Sequence, residues 1–166
     1  MENITFQDLG LSENMLKALE KKGYGYPTTI QAQAIPEFMQ WKDVIAKAPT
    51  GTGKTFAFGI PMIEHIDPEN EAIQGLILAP TRELAIQIGD ELRGLLTYYQ
   101  GIRVAVLYGG ASIGPQIKAL EKKPQIIVAT PGRLSDHITK GCGQQREGNK
   151  ESSGDDAAHG FLMSSA

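Results

Sequence analysis

Ala48-Pro49-Thr50-Gly51-Thr52-Gly53-Lys54-Thr55 is the stretch on which the reading of this chain turns. A short apolar run, Val44-Ile45-Ala46, precedes it, and an apolar stretch from Phe56 to Ile66 follows, so the expected order is strand, loop, helix. That is the setting a phosphate-binding loop needs. Gly51 and Gly53 let the backbone turn its N–H groups inward and approach phosphate oxygens with no Cβ in the way. A helix beginning near Gly53 adds unpaired N–H donors and the positive end of its dipole. Lys54 then reaches the outer phosphates as a flexible point charge, and the Thr55 hydroxyl is placed to hold Mg²⁺. These two are the candidate catalytic residues. The bland reading is a glycine turn followed by a helix with an incidental lysine. One departure stands out: Ala48 occupies the position where the general G-x-x-x-x-G-K-[ST] pattern has its first glycine.

Working outward, strand and helix alternate. Gly75 to Ala79 is predicted as a buried strand, Arg82 to Tyr98 as a helix, Ile102 to Tyr108 as a strand, Ser112 to Lys122 as a helix, and Gln125 to Ala129 as another buried strand. In the second of these helices Ser112 is the expected cap and Ile113, Ile117 and Leu120 the expected inward stripe. Near-continuous Val/Ile/Leu strands imply a parallel sheet with helices on both faces, an α/β fold of the doubly wound class. Ligands of such sheets gather at the carboxyl ends of the strands. Upstream, Ser12 caps a short helix carrying Met15, Leu16 and Leu19, with Gly23 past its end. Ile30 to Met39 is a further helix that Pro36 should bend or divide. Asp67 to Asn70 reads as a surface turn.

Bulk properties bound the function. The chain has 166 residues, 41% of them hydrophobic, enough for one globular domain. A net charge of −3 means that nucleic-acid binding must rest on local contacts. The single cysteine, Cys142, fits a reducing compartment, no stretch resembles a signal peptide or a membrane span, and a cytoplasmic protein is the expectation. His65, His137 and His159 show no ligand spacing and are read as surface residues. Beyond Lys140 the composition turns to Gly, Ser, Gln and Asp, so 141–166 is expected to be a disordered tail.

Five peptides together resemble one family. Residues 1–140 are similar to the N-terminal RecA-like domain, a P-loop NTPase fold, of a DEAD-box ATP-dependent RNA helicase. Ala48 to Thr55 resembles its motif I, Pro80-Thr81-Arg82-Glu83-Leu84-Ala85 motif Ia, Gly109-Gly110 the GG doublet, and Thr130-Pro131-Gly132-Arg133 motif Ib. Gly23 to Gln31 resembles the Q motif, and Phe6 stands 17 residues ahead of Gly23 in register for the upstream aromatic. The resemblance implies ATP and Mg²⁺ as cofactors. Gln31 would read the adenine edge with its amide donor and acceptor, Phe6 would stack on the base, and Tyr24 and Thr28 would support the pocket. Pro80, Thr81, Arg82, Glu83, Gly109, Gly110, Thr130, Pro131, Gly132 and Arg133 would hold an RNA sugar-phosphate backbone without reading its sequence. The plainer alternatives stay open: a core aromatic for Phe6, a solvated helix residue for Gln31, structural ion pairs for Arg82 and Arg133.

The sequence also departs from that pattern. The family continues after motif Ib with an apolar strand ending in Asp-Glu-Ala-Asp, then a Ser-Ala-Thr motif and a second RecA-like domain with an arginine finger. Asp155-Asp156 follows Lys150 to Gly154, which cannot form a buried strand, and is not read as a metal site. The resemblance puts two such strands inside the sheet beside Val44 to Ala46, so an incomplete, poorly stable and aggregation-prone sheet is expected, and the residues after Lys140 read as a frameshift or truncation product. The leading reading is an ATP- and RNA-binding helicase portion; its rival is a non-catalytic nucleotide- or RNA-binding fragment. An unrelated P-loop kinase or GTPase would not need the Pro80 to Ala85 and Thr130 to Arg133 peptides.

Overall fold

The computed structural model describes residues 4–144. Six helices, α1 (Glu13–Lys21), α2 (Thr29–Met39), α3 (Lys54–Glu64), α4 (Arg82–Leu95), α5 (Ile113–Glu121) and α6 (Pro131–Gln144), alternate in their second half with β1 (Gly75–Leu78), β2 (Val104–Leu107) and β3 (Ile126–Ala129). The strands form one parallel sheet in the order β1-β3-β2, with Ile77 opposite Val128 and Val128 opposite Val106. β3 is central, and all of its residues are buried, as a strand covered on both faces requires.

Side-chain alternation sorts the strands between two layers. Ile77, Ile126 and Val128 face the larger core, which α4 closes with Ala85, Ile88, Leu92 and Leu95. α1, α2 and α3 extend that core with Met15, Leu19, Ala34, Ile35, Phe38, Ile60 and Ile63. Leu107, Ile127 and Ala129 point the other way, toward Leu120 of α5 and Leu134 of α6. The α/β layering predicted from the strand-helix alternation is therefore observed, with helices on both faces.

Three local expectations change. Val44 to Ala46 is not a strand, and Ile45 is fully exposed. A strand exists only through a paired neighbour, and no described strand lies beside this segment. Pro36 does not divide α2, which runs unbroken from Thr29 to Met39, and α3 likewise carries Pro61. Each proline removes one ladder donor, while the buried faces of the two helices hold them against each other. In α5 the buried position is taken by Gln116, Ile117 is 42% exposed, and Ser112 makes no side-chain cap bond. α6 continues to Gln144, past the boundary expected at Lys140; the rest of 141–166, with Asp155, Asp156 and His159, lies outside the described residues.

Polar clips join the helices. Ser12 caps α1 by accepting from Met15 N, and its own N–H and hydroxyl meet the Glu64 carboxylate at 3.0 and 2.8 Å. Tyr99, beyond α4, donates to the same carboxylate at 2.5 Å. Burial and the Glu64 carboxylate push the Tyr99 phenol well above its ordinary range, so it stays a donor. His65 and His137 are half-buried rather than surface residues: His65 stacks on Trp41 with ring centroids 3.9 Å apart, and His137 approaches Gln116 Oε1 at 3.4 Å.

α4 lies close on β2 because residue 89 has no side chain. A Cβ there would sit 2.4 Å from Val106 Cγ2, whereas one at Gly114 on α5 would meet only Ser112 Oγ at 4.0 Å. Gly89→Ala should therefore lower stability by about 1–3 kcal/mol through overpacking. Gly114→Ala should leave it unchanged or raise it by up to about 1 kcal/mol. Denaturant melts followed by circular dichroism check the contrast.

Candidate nucleotide and nucleic-acid site

The phosphate loop is shaped by two left-handed glycines, Gly51 at φ 81° and Gly53 at φ 83°. Gly53 is the N-cap of α3, whose first helical bond runs from Ala57 N to Gly53 O, so the N–H groups of Lys54, Thr55 and Phe56 have no intrahelical acceptor. Thr52 Oγ1 donates to Pro49 O at 2.8 Å and closes the turn. Lys54 lies back across the loop and donates from Nζ to Ala48 O at 2.5 Å. Thr50 and Gly51 are exposed, and Thr55 is half-buried at the second helical position. A ring of backbone donors at a helix amino end beside a lysine suits a polyphosphate.

The predicted Q-motif residues meet this loop. Gln31 is 3% exposed, accepts from Thr28 N at 2.9 Å and donates from Nε2 to Gly53 O at 3.1 Å. Thr28 Oγ1 donates to Thr52 O at 2.9 Å. Gln31 is buried rather than a solvated helix residue, Thr28 is exposed, and together they pin the loop to the amino end of α2. Gly53 is required here on spatial grounds too, since a Cβ would lie 2.3 Å from Gln31 Nε2. A cleft of about 360 Å³ runs alongside, lined by Thr28, Gln33, Lys47, Ala48, Pro49 and Thr52 among others.

Phe6 and Tyr24 line a different cleft. Phe6 is buried in the large core at 4% exposure, and Tyr24 packs edge-on to Phe56 with centroids 5.1 Å apart. Both line an open groove of about 630 Å³ between α1 and the 23–26 loop. Phe6 thus presents little ring face to a base.

The other three peptides converge at the carboxyl ends of the strands. Pro80 and Thr81 follow β1, Gly109-Gly110 follow β2 and Thr130 follows β3. Thr81 caps α4 by accepting from Leu84 N, and Glu83 sits in the first turn, where its charge suits the dipole. Pro131 occupies the first position of α6, where its missing N–H is not needed, and Gly132 beside it is exposed. Arg82 lies over the Tyr108 ring at 5.0 Å. Arg133 donates from both terminal nitrogens to Ala111 O at 3.2 Å, with Asp136 3.7 Å from its Nε. The arginines therefore brace the GG turn, by a cation–π contact and a forked hydrogen bond, more than by ion pairs. Two parts of this arrangement escaped the motif reading: the Ala111 carbonyl and Gln116, which donates to Tyr108 O at 3.0 Å. A glutamine three residues after Ile113, beside the expected inward stripe, was the available signal.

A glycine-shaped loop at the head of a helix, with a covered parallel sheet, defines an α/β protein of the P-loop class. The model of the DEAD/DEAH box helicase family matches residues 28–153, and the chain belongs to that family. It is 53% identical over 137 residues to the DEAD-box ATP-dependent RNA helicase CshA of Geobacillus kaustophilus, covering 82% of this chain and 29% of that protein. It is 55% identical over 135 residues to the ATP-dependent RNA helicase CshA of Limosilactobacillus reuteri, covering 81% and 27%. The crystal structure of a DEAD box protein from the hyperthermophile Methanococcus jannaschii superposes with a TM-score of 0.76 at 47% identity, over 82% of this chain and 37% of that one. The chain thus spans less than a third of the length of these curated relatives. No helix among the described residues is long and apolar enough to cross a membrane.

The Gln31 bridge yields a prediction. Gln31→Met keeps the volume but leaves Thr28 N–H and Gly53 C=O without these partners. It should lower stability by about 1–3 kcal/mol and speed amide exchange in residues 50–54, measured by hydrogen-exchange mass spectrometry.

Proposed function

We propose that this chain supplies the ATP site and part of the RNA track of an ATP-dependent RNA helicase. The observation that carries the reading is the Gly51–Lys54 loop at the amino end of α3, buttressed by Gln31 and Thr28. The naming of the similar proteins as ATP-dependent RNA helicases supports it. The loop fits a triphosphate: the free N–H groups of α3 and the Lys54 ammonium face the loop, and a Cβ at Gly53 would foul its support. When ATP binds, Lys54 exchanges the Ala48 carbonyl for phosphate oxygens, which accept a stronger, charge-assisted bond. Thr55 offers its hydroxyl to Mg²⁺, which would neutralise charge on the outer phosphates.

RNA would lie along Thr81, Gly109, Gly110, Thr130 and Gly132, where short side chains and backbone donors meet phosphate and sugar. Such contacts position a strand and carry no sequence information, which suits a chain of net charge −3. In the parent reaction, ATP hydrolysis drives RNA strand separation.

Lys54→Ala should abolish binding of a fluorescent ATP analogue with Mg²⁺ while leaving RNA affinity within about twofold. The affinity for unrelated single-stranded RNA sequences should be equal, and its logarithm should fall linearly with the logarithm of salt at about −0.7 per phosphate contacted. Nucleotide binding that survives Lys54→Ala, or marked sequence preference, would refute the reading.

A further inference from the structure

We propose that Gln116 is a positioning residue for the RNA track, acting by fixing the direction of the Gly109 amide. This rests on the RNA reading above. Gln116 is 7% exposed on a helix whose neighbouring Ile117 faces solvent, an inversion that hydrophobicity does not explain. Its Nε2 donates to Tyr108 O at 3.0 Å, with a longer bond to Ser112 O at 3.5 Å, and His137 Nε2 lies 3.4 Å from its Oε1. α5 is thereby tied at one point both to the turn after β2 and to α6.

Peptide geometry converts that tie into a direction. Tyr108 C=O and Gly109 N–H belong to one planar trans unit and point in opposite senses. With the carbonyl held inward on Gln116, the Gly109 N–H is turned outward, and Gly109 and Gly110 are exposed. Glycine would otherwise let this unit flip at little steric penalty, and Gly110 already sits at φ 77°. The fork from Arg133 to Ala111 O braces the other end of the turn. The outward amide is a donor of the kind that holds a phosphate or ribose oxygen, and Gln116 touches no ligand itself.

The test compares wild type, Gln116→Met and His137→Leu of the 166-residue chain. Affinity for a labelled single-stranded oligouridine is read by anisotropy, affinity for a fluorescent ATP analogue serves as the folding control, and the Gly109 amide resonance is followed by NMR. Gln116→Met should weaken RNA binding about tenfold, the size of one correctly aimed hydrogen bond. It should leave nucleotide affinity within about twofold and shift the Gly109 amide before RNA is added. His137→Leu, which loosens the outer end of the tie, should weaken RNA binding by about two- to threefold. Equal RNA affinity in wild type and Gln116→Met, an unmoved Gly109 resonance, or parallel loss of RNA and nucleotide binding would each overturn the positioning role. Absence of RNA binding by the wild type would instead overturn the RNA reading, and the positioning role with it.

Discussion

The bond from Gln31 Nε2 to Gly53 O holds the phosphate loop where a sheet would usually hold it. The segment entering the loop has no strand partner among the described residues, so the loop's orientation depends on side chains reaching from the head of α2. Gly53 O accepts from both Gln31 and Ala57 N, which fixes helix start and loop end in the same few ångströms. A buried amide is suited to this because its donor and acceptor are both satisfied, and the loss of either partner would leave a polar group in an apolar surround.

On the opposite side of the chain's logic, the strand ends depend on β3. It alone pairs with both other strands, and it carries the carbonyl of Ala129 to Ala79 N while Thr130 N donates back to Leu107 O. These bonds bring three loops, from distant parts of the sequence, to one rim. The rim is then finished by side chains that serve geometry: Thr81 as a cap, Arg82 over Tyr108, Arg133 on Ala111, Gln116 on Tyr108.

Much of this was legible in residue order. Continuous apolar runs such as Gly75 to Ala79 and Gln125 to Ala129, bounded by turns and alternating with helical patterns, read as strands of a covered sheet, and the Gly-x-Gly-Lys-Thr spacing sets loop and helix together. What periodicity could not reveal were properties of partnership. Val44 to Ala46 has strand composition, yet composition cannot say whether a neighbour is present. Ile117 has the right spacing for the core, yet Gln116 wins the position because the Tyr108 carbonyl needs a donor. Phe6 keeps the register of a base-stacking aromatic while its ring completes the core. The motif also did not reveal that Arg82 lies over Tyr108 and that Arg133 holds the Ala111 carbonyl, contacts that brace the turn the two arginines flank.

The Lys54 ammonium resting on the Ala48 carbonyl has a thermodynamic corollary. The loop carries its own weak competitor: any guest must displace an internal acceptor, and apparent affinity is multiplied by the fraction of molecules in which the ammonium is not held by that carbonyl. A neutral guest offers the ammonium nothing better than the carbonyl it leaves. An anionic one does, so the contact acts as a filter that favours charge over shape.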